Sequence, residues 1–176
     1  MKSSWLDIYK SLGHRFRKRR VWHTFVRPWL LKQTFHKSGR QSDGKKRLLL
    51  VKTDLIGDYL LFRNLLPYYR EKYADYHLTL CANSVNKTLV QALDREWIDD
   101  CIFLNRNKFL KHKDYYYQFM HDIYSRHINT VIHPTFTPDI YADMLVFASL
   151  AAEKIGVQRN TINQTPRQAE ITKSCY

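Results

Sequence analysis

Short apolar runs alternate with segments of helical periodicity between residues 47 and 157, and this alternation is the strongest constraint on the fold. Strands that alternate with helices of this length require right-handed crossovers and a parallel sheet. We therefore predict an α/β fold, a Rossmann-like parallel sheet with helices on both faces. The predicted strands are 47–52, 77–82, 101–105, 129–133 and 153–157, and the predicted helices are 57–73, 86–93, 114–127 and 138–151.

The positive charge of the chain is concentrated before this domain. The formal net charge is +13, but residues 1–47 hold 14 Lys and Arg against 2 Asp and Glu, and residues 48–176 hold 15 against 14. The folded part is therefore nearly neutral. The sequence predicts three regions: a basic amphipathic helical arm and linker (1–46), the Rossmann-like domain (47–157), and a polar tail or interdomain linker (158–176).

The arm has the composition of a helix that lies on a membrane surface. Its basic residues are interleaved with two apolar stripes, and apolar burial and attraction to anionic lipid add together in such helices. We expect residues 1–36 to bind a membrane surface; the alternative is that the stripes pack on protein. The stripes consist of Trp5, Tyr9, Leu12 and Phe16, then Trp22, Phe25, Val26, Trp29 and Leu30.

Composition excludes several other classes. The three cysteines share no CxxC spacing, so we expect no disulfide framework. A reducing compartment is therefore expected for the protein. No apolar run approaches the roughly 20 residues that cross a bilayer, and no signal peptide is recognisable. The eight histidines form no metal-binding motif, so no metal site is expected. These features predict a cytoplasmic protein, and the arm would place it at a membrane surface.

The segment "TDLIGD" follows the first predicted strand, at the sheet edge where parallel α/β folds bind ligands. Gly57 would let the backbone turn tightly and leave room for a ligand. Asp58 falls in the first turn of the next helix, where the helix dipole favours a carboxylate that can act as a general base. Asp54 could orient Asp58, cap the helix or touch the same ligand. Both carboxylates are also ordinary residues for a helix start.

Two further segments reach the same edge. Residues 105–114 form a predicted loop whose Arg106, Lys108, Lys111 and Lys113 could hold phosphate or carboxylate groups, or could simply be solvated. His133 ends the fourth strand, where it could contact a substrate or serve packing.

The segment "RLLLVKTDLIGDYLLFRNLLPYYREKYADYHLTLCAN" resembles the N-terminal signature of glycosyltransferase family 9, the ADP-heptose:lipopolysaccharide heptosyltransferases. The resemblance covers about residues 47–160 and includes "EKIGVQRN". It differs at Asn64, where the family commonly has proline. Pro67 follows three residues later, so we expect the helix to bend between Arg63 and Leu66.

The resemblance implies the N-terminal half of a GT-B fold, which carries the acceptor site of an inverting glycosyltransferase. It implies that Asp58 is the base and that no cofactor or metal is needed. The nucleotide-sugar donor would bind a C-terminal domain that this chain does not match, so the 176 residues alone should be inactive. The implied reaction transfers a heptose-like sugar to an anionic lipid-linked saccharide, such as a lipopolysaccharide core. The candidate substrate-binding residues are Asp54, Gly57, Asn64, Arg106, Lys108 and His133.

Another class of function fits the basic arm. The chain could be a nucleic-acid-binding or membrane-adaptor module in which the α/β domain is a scaffold. A nucleic-acid binder should carry its basic surface on the folded domain, whereas here that domain is nearly neutral. The charge distribution therefore argues against a nucleic-acid binder, and a membrane adaptor remains the alternative to the glycosyltransferase interpretation.

Overall fold

The computed structural model describes residues 44–157, apart from Pro138 and the side chains of residues 110 and 140. The predicted arm, except for residues 44–46, and the predicted tail at 158–176 lie outside the described residues. In the described part, no helix is both long enough and apolar enough to cross a membrane.

The described chain alternates strands and helices from Arg47 to Gly156. The strands are β1 (Arg47–Lys52), β2 (His77–Asn83), β3 (Asp100–Leu104), β4 (Thr130–His133) and β5 (Glu153–Gly156). The helices are α1 (Ile56–Arg63), α2 (Leu66–Lys72), α3 (Lys87–Leu93), α4 (Arg106–Lys111), α5 (Lys113–Ser125) and α6 (Ile140–Ser149), and a 3₁₀ turn at Ser84–Asn86 precedes α3.

The five strands form one parallel sheet in the order β3-β2-β1-β4-β5. The central strand β1 pairs with β2 on one side and β4 on the other, for example through Leu50 opposite Leu80 and Ile132. The chain runs outward from β1 to β3 and then returns to β4, so the strand order reverses between β1 and β4. A reversal of this kind opens a crevice at the carboxyl ends of the two strands, where ligands bind in such sheets.

Both faces of the sheet are covered, which confirms the predicted fold class. Leu48 and Leu50 of β1 pack in a core cluster with Tyr59, Phe62 and Leu66 from α1 and α2. Successive residues of a strand point to opposite faces, so Leu49 and Val51 face the other side, and α6 packs against β1 and β4. Burial on both faces explains why β1 is apolar from Leu48 to Val51 without alternation.

The predicted strands and helices agree with the structure. Two expectations are wrong: that residues 105–114 form a loop, and that Gly57 makes a tight turn. The long predicted helix breaks at Asn64 and Leu65, just before Pro67, as expected from the proline. Residues 105–114 do not form an irregular loop: α4 begins there because the Asn105 side chain accepts a hydrogen bond from the Lys108 amide at 3.0 Å. Gly57 does not form a tight turn either, since it is the second residue of α1 and its φ lies outside the left-handed region.

Candidate functional site

The crevice at the carboxyl ends of β1 and β4 is closed at its base by three side chains that contact one another. Lys52 Nζ, at the end of β1, lies 2.7 Å from Asp54 Oδ2 and donates a hydrogen bond of 3.2 Å to Thr135 Oγ1, in the segment after β4. The Thr135 hydroxyl donates to the same Asp54 oxygen at 3.0 Å. Asp54 is therefore neutralised within the protein and ties the two strand ends together.

Two asparagines, at the end of β2 and in the 3₁₀ turn that follows it, fix the backbone of the segment after β1. The Asn83 side-chain amide donates to the carbonyl of Thr53, and the Asn86 amide donates to the carbonyl of Asp54, each at 3.1 Å. Both asparagines are buried. The segment that leads to α1 is therefore held by its backbone as well as by the Asp54 side chain.

Asp58 lies in the first turn of α1, as predicted, and its side chain is exposed. Among residues 44–157 as described, it has no hydrogen bond or ion pair with another side chain. Leu55 is the N-cap residue of α1 and supplies no side-chain cap, so Asp54 does not cap this helix. Asp58 thus presents an accessible carboxylate where the dipole of α1 is positive.

The position of α1 depends on a buried carboxylate, Asp94, which follows α3. Its oxygens accept hydrogen bonds from the Tyr59 hydroxyl at 2.8 Å and from Arg63 Nε at 2.9 Å. Burial, and next the hydrogen bond to Asp94, raise the pKa of Tyr59 well above its usual value. Since Tyr59 and Arg63 are both in α1, Asp94 holds the helix that carries Asp58.

A further carboxylate lies across the crevice, at the start of α6. Asp139 accepts a hydrogen bond from the Ala142 amide at 3.0 Å and pairs with Arg106 at 2.7 Å. Burial is the main cause that raises the pKa of Asp139. The hydrogen bond from Ala142 and the charge of Arg106 lower this pKa, while the charges of Asp54 and Asp143 raise it further. Asp139 therefore lies near enough to Asp54 for their charges to interact.

The structure places the other predicted residues as follows. Arg106 stacks over the Tyr141 ring at 4.4 Å in addition to its ion pair, and Lys108 is exposed on α4. His133 is buried, with Nδ1 4.0 Å from Asp143 Oδ1. Gly57 is exposed beside Asp58. Asn64 follows α1, about 9 Å from Asp58 along the helix axis, so the structure does not bring these two together.

Three residues of the site were not predicted from the sequence as site residues: Lys52, Thr135 and Asp139. Lys52 and Thr135 gain their roles from contact with Asp54, and Asp139 gains its role from capping α6. Asp139 has a detectable signal, since an Asp before an apolar helical run is a helix-start pattern. Lys52 and Thr135 are 83 residues apart, and nothing local predicts their pairing.

Within the described range, no three or more His, Cys, Asp or Glu side chains are grouped so that they could hold a metal ion. The Asp54 and Asp139 carboxylates are balanced by Lys52 and Arg106 respectively. The chemistry that these residues support is proton transfer and hydrogen bonding to a polar ligand.

No family model and no curated protein matches the sequence. Among solved structures, the chain is similar to the ADP-heptose lipopolysaccharide heptosyltransferase II of E. coli, with 10% sequence identity and a TM-score of 0.47. The similarity covers 62% of this chain and 30% of that enzyme, so the chain spans less than a third of the solved structure that it matches.

Proposed function

We propose that residues 47–157 form the acceptor-binding half of an inverting glycosyltransferase in which Asp58 is the general base. The observation that carries this proposal is the contrast between the two carboxylates after β1. Asp54 is neutralised by Lys52 and Thr135, whereas Asp58 is exposed beside the crevice on a helix that Asp94 holds in place. A base needs access to its substrate and a fixed position, and Asp58 has both.

In this reaction Asp58 accepts the proton of an acceptor hydroxyl. The acceptor oxygen forms a bond to the anomeric carbon of the donor sugar, and the bond between that carbon and the diphosphate breaks on the opposite side. The electron pair of the broken bond leaves with the nucleoside diphosphate, and the configuration inverts. Asp54 keeps the crevice in shape through Lys52 and Thr135 and does not act as the base.

The finer parts of the proposal follow the family resemblance. The transferred sugar is heptose-like, and the acceptor is a lipopolysaccharide core or a related lipid-linked saccharide. A C-terminal donor domain, where it is supplied, binds the nucleotide sugar, and residues 1–36 of the basic arm keep the enzyme on the cytoplasmic face of the inner membrane. On this proposal the 176-residue chain alone transfers no sugar.

The test is sugar transfer by a form of the protein that carries the donor half. Asp58→Asn should lower kcat by about 10²–10⁴-fold, because the amide cannot accept the proton. Asp114→Asn is the matched control, since Asp114 is also an exposed acid in the first turn of a helix, α5, and should keep the full rate. If Asp58→Asn keeps more than about a tenth of the rate, Asp58 is not the base.

A further inference from the structure

A row of apolar side chains is exposed along the outer side of α1 and α2. Leu61 in α1 is 76% exposed, Leu65 just before α2 is 48% exposed, and Tyr68 in α2 is 56% exposed. The backbone keeps right-handed helical angles between the two helices, so the spacing of four and then three residues puts these side chains on one side. We call Leu61, Leu65 and Tyr68 the apolar row.

The apolar row is distinct from the side of α1 and α2 that faces the sheet. Tyr59, Phe62 and Leu66 form that side, and they are buried in one core cluster with residues of β1 and β2. The two helices are therefore apolar on two sides, of which only one serves the folding of the domain. Adjacent large apolar side chains on a surface are typical of contact with a partner or a membrane.

The C-terminal end of the row carries groups that suit a membrane surface. Lys72, one turn after Tyr68, is exposed, and its Nζ lies 5.9 Å from the centre of the Tyr68 ring. Tyrosine and lysine each have an apolar body and a polar tip, so both are favoured where acyl chains meet lipid headgroups. The row thus changes from apolar to amphipathic along its length.

The basic arm joins the domain at this same end of the row. Lys46, the last residue of the arm, forms an ion pair with Asp75, three residues after the end of α2. Residues 1–47 hold 14 Lys and Arg against 2 Asp and Glu. Attraction of basic residues to anionic lipid and burial of apolar side chains add together in binding to a membrane. The arm supplies the charge, and the row supplies apolar surface.

The size of the row favours a lipid surface over a second copy of the chain. A stable interface between two proteins uses about 20–30 residues from each partner, whereas the row contains three. A lipid surface needs no matching shape, and its binding strength increases with the apolar area that is buried.

We infer that the apolar row rests on an anionic membrane and forms a second membrane contact besides the arm. This inference rests on the proposed function, which puts the enzyme at a membrane. Asp58 precedes Leu61 by three residues in α1, on the same side of the helix and about 4.5 Å away along its axis. The contact therefore holds the proposed base at the membrane surface, where a lipid-linked acceptor presents its hydroxyl groups.

The first test measures binding of the 176-residue chain to vesicles of phosphatidylglycerol and phosphatidylethanolamine by flotation. Leu61→Gln should weaken binding by about fivefold and Leu65→Gln by about threefold, because the more exposed leucine has more surface to bury. Leu93→Gln is the matched control: Leu93 is as exposed as Leu65 but ends α3, so binding should not change. Glutamine favours a helix almost as much as leucine does, so the fold is kept.

The second test detects lipid contact at the row itself. Tyr68→Trp and Leu93→Trp each add one tryptophan to the full chain, and the fluorescence of each variant is compared with that of the unmodified chain. The vesicles contain phosphatidylglycerol with brominated acyl chains, which quench a tryptophan that they contact. The tryptophan added by Tyr68→Trp should be quenched, and the one added by Leu93→Trp should not.

Three results would overturn the inference. If both row leucines can be replaced without weaker binding and Tyr68→Trp is not quenched, the arm alone binds the membrane, and the proposed function stands. If the tryptophan added by Tyr68→Trp is shielded from iodide before vesicles are added, another part of the protein or a second copy covers the row. If the unmodified chain does not bind these vesicles, the membrane part of the proposed function fails as well, while the sugar-transfer assay of Asp58→Asn still tests the base separately.

Discussion

Asp94 is the residue whose replacement most directly tests how α1 is held beside the crevice. Its side chain is completely buried and accepts hydrogen bonds from Tyr59 and Arg63, which lie 35 and 31 residues away along the chain. We consider three variants of the full chain: Tyr59→Phe, Asp94→Ala and the combination of both. Phenylalanine keeps the aromatic ring in the core and removes only the hydroxyl.

The expected losses differ because the groups left behind differ. Tyr59→Phe removes one hydrogen bond to a charged acceptor, and Arg63 continues to neutralise Asp94; the free energy of unfolding should fall by about 1.5–3 kcal/mol. Asp94→Ala leaves the buried Tyr59 hydroxyl without its acceptor and also breaks the ion pair with Arg63. The Arg63 side chain is 25% exposed and can reach water, so the loss should lie near the lower end of the about 3–5 kcal/mol typical of broken buried ion pairs.

The combined variant separates these contributions. With phenylalanine at position 59, the replacement of Asp94 no longer leaves a buried hydroxyl unpaired. The combined loss should therefore be smaller than the sum of the two single losses by about 1–3 kcal/mol. Simple additivity would mean that the two side chains do not stabilise each other.

The measurement is urea unfolding of each variant at neutral pH, followed by circular dichroism and tryptophan fluorescence. Tyr68→Phe is the control, since Tyr68 is exposed on α2 and its replacement should change stability by less than about 0.5 kcal/mol. If Tyr59→Phe is also within about 0.5 kcal/mol of the unmodified chain, the hydrogen bond to Asp94 does not hold α1, and the argument for a fixed Asp58 loses its support.

Two further predictions concern α1. Gly57→Ala should raise the free energy of unfolding by about 0.5 kcal/mol in the same urea assay, because an added Cβ meets no heavy atom within 4 Å and alanine favours a helix; a loss of stability would contradict this. Stability should also fall as pH rises above about 10, since the unfolded chain releases the Tyr59 proton at its usual pKa while the folded chain, whose pKa is raised, retains it. Tyr59→Phe should weaken this dependence between pH 9 and 11, and an unchanged slope would contradict the assignment.

The sheet could be predicted from the sequence because its signals are local and strong. β1 is buried on both faces, so Leu48–Val51 form an unbroken apolar run. The break between α1 and α2 follows from Pro67, whose ring cannot continue a helix. α4 was missed because a six-residue helix shows hardly two turns of periodicity, and its sequence is mostly polar.

The contacts of the site could not be predicted in the same way. Alternating strands and helices predict a parallel sheet, but they do not establish that β4 lies beside β1. That order is what brings Thr135 to Asp54, 81 residues earlier. The sequence placed Asp54 at a strand end correctly, yet its partners depend on which strand is the neighbour and on how the Lys52 side chain folds back.

The spacing of Asp54 and Asp58 acquires a physical explanation from these contacts. A carboxylate two residues after β1 lies within reach of Lys52 and of the segment after β4, so it is neutralised and serves to join the strands. Four residues later the chain has entered α1, and a carboxylate there lies beyond those partners and in the positive end of the helix dipole. If both were neutralised, the crevice would contain no accessible base; if neither were, the segments after β1 and β4 would lose the link that Asp54 makes to Thr135. The division of roles between the two residues therefore requires one of them in the segment between β1 and α1 and the other inside α1.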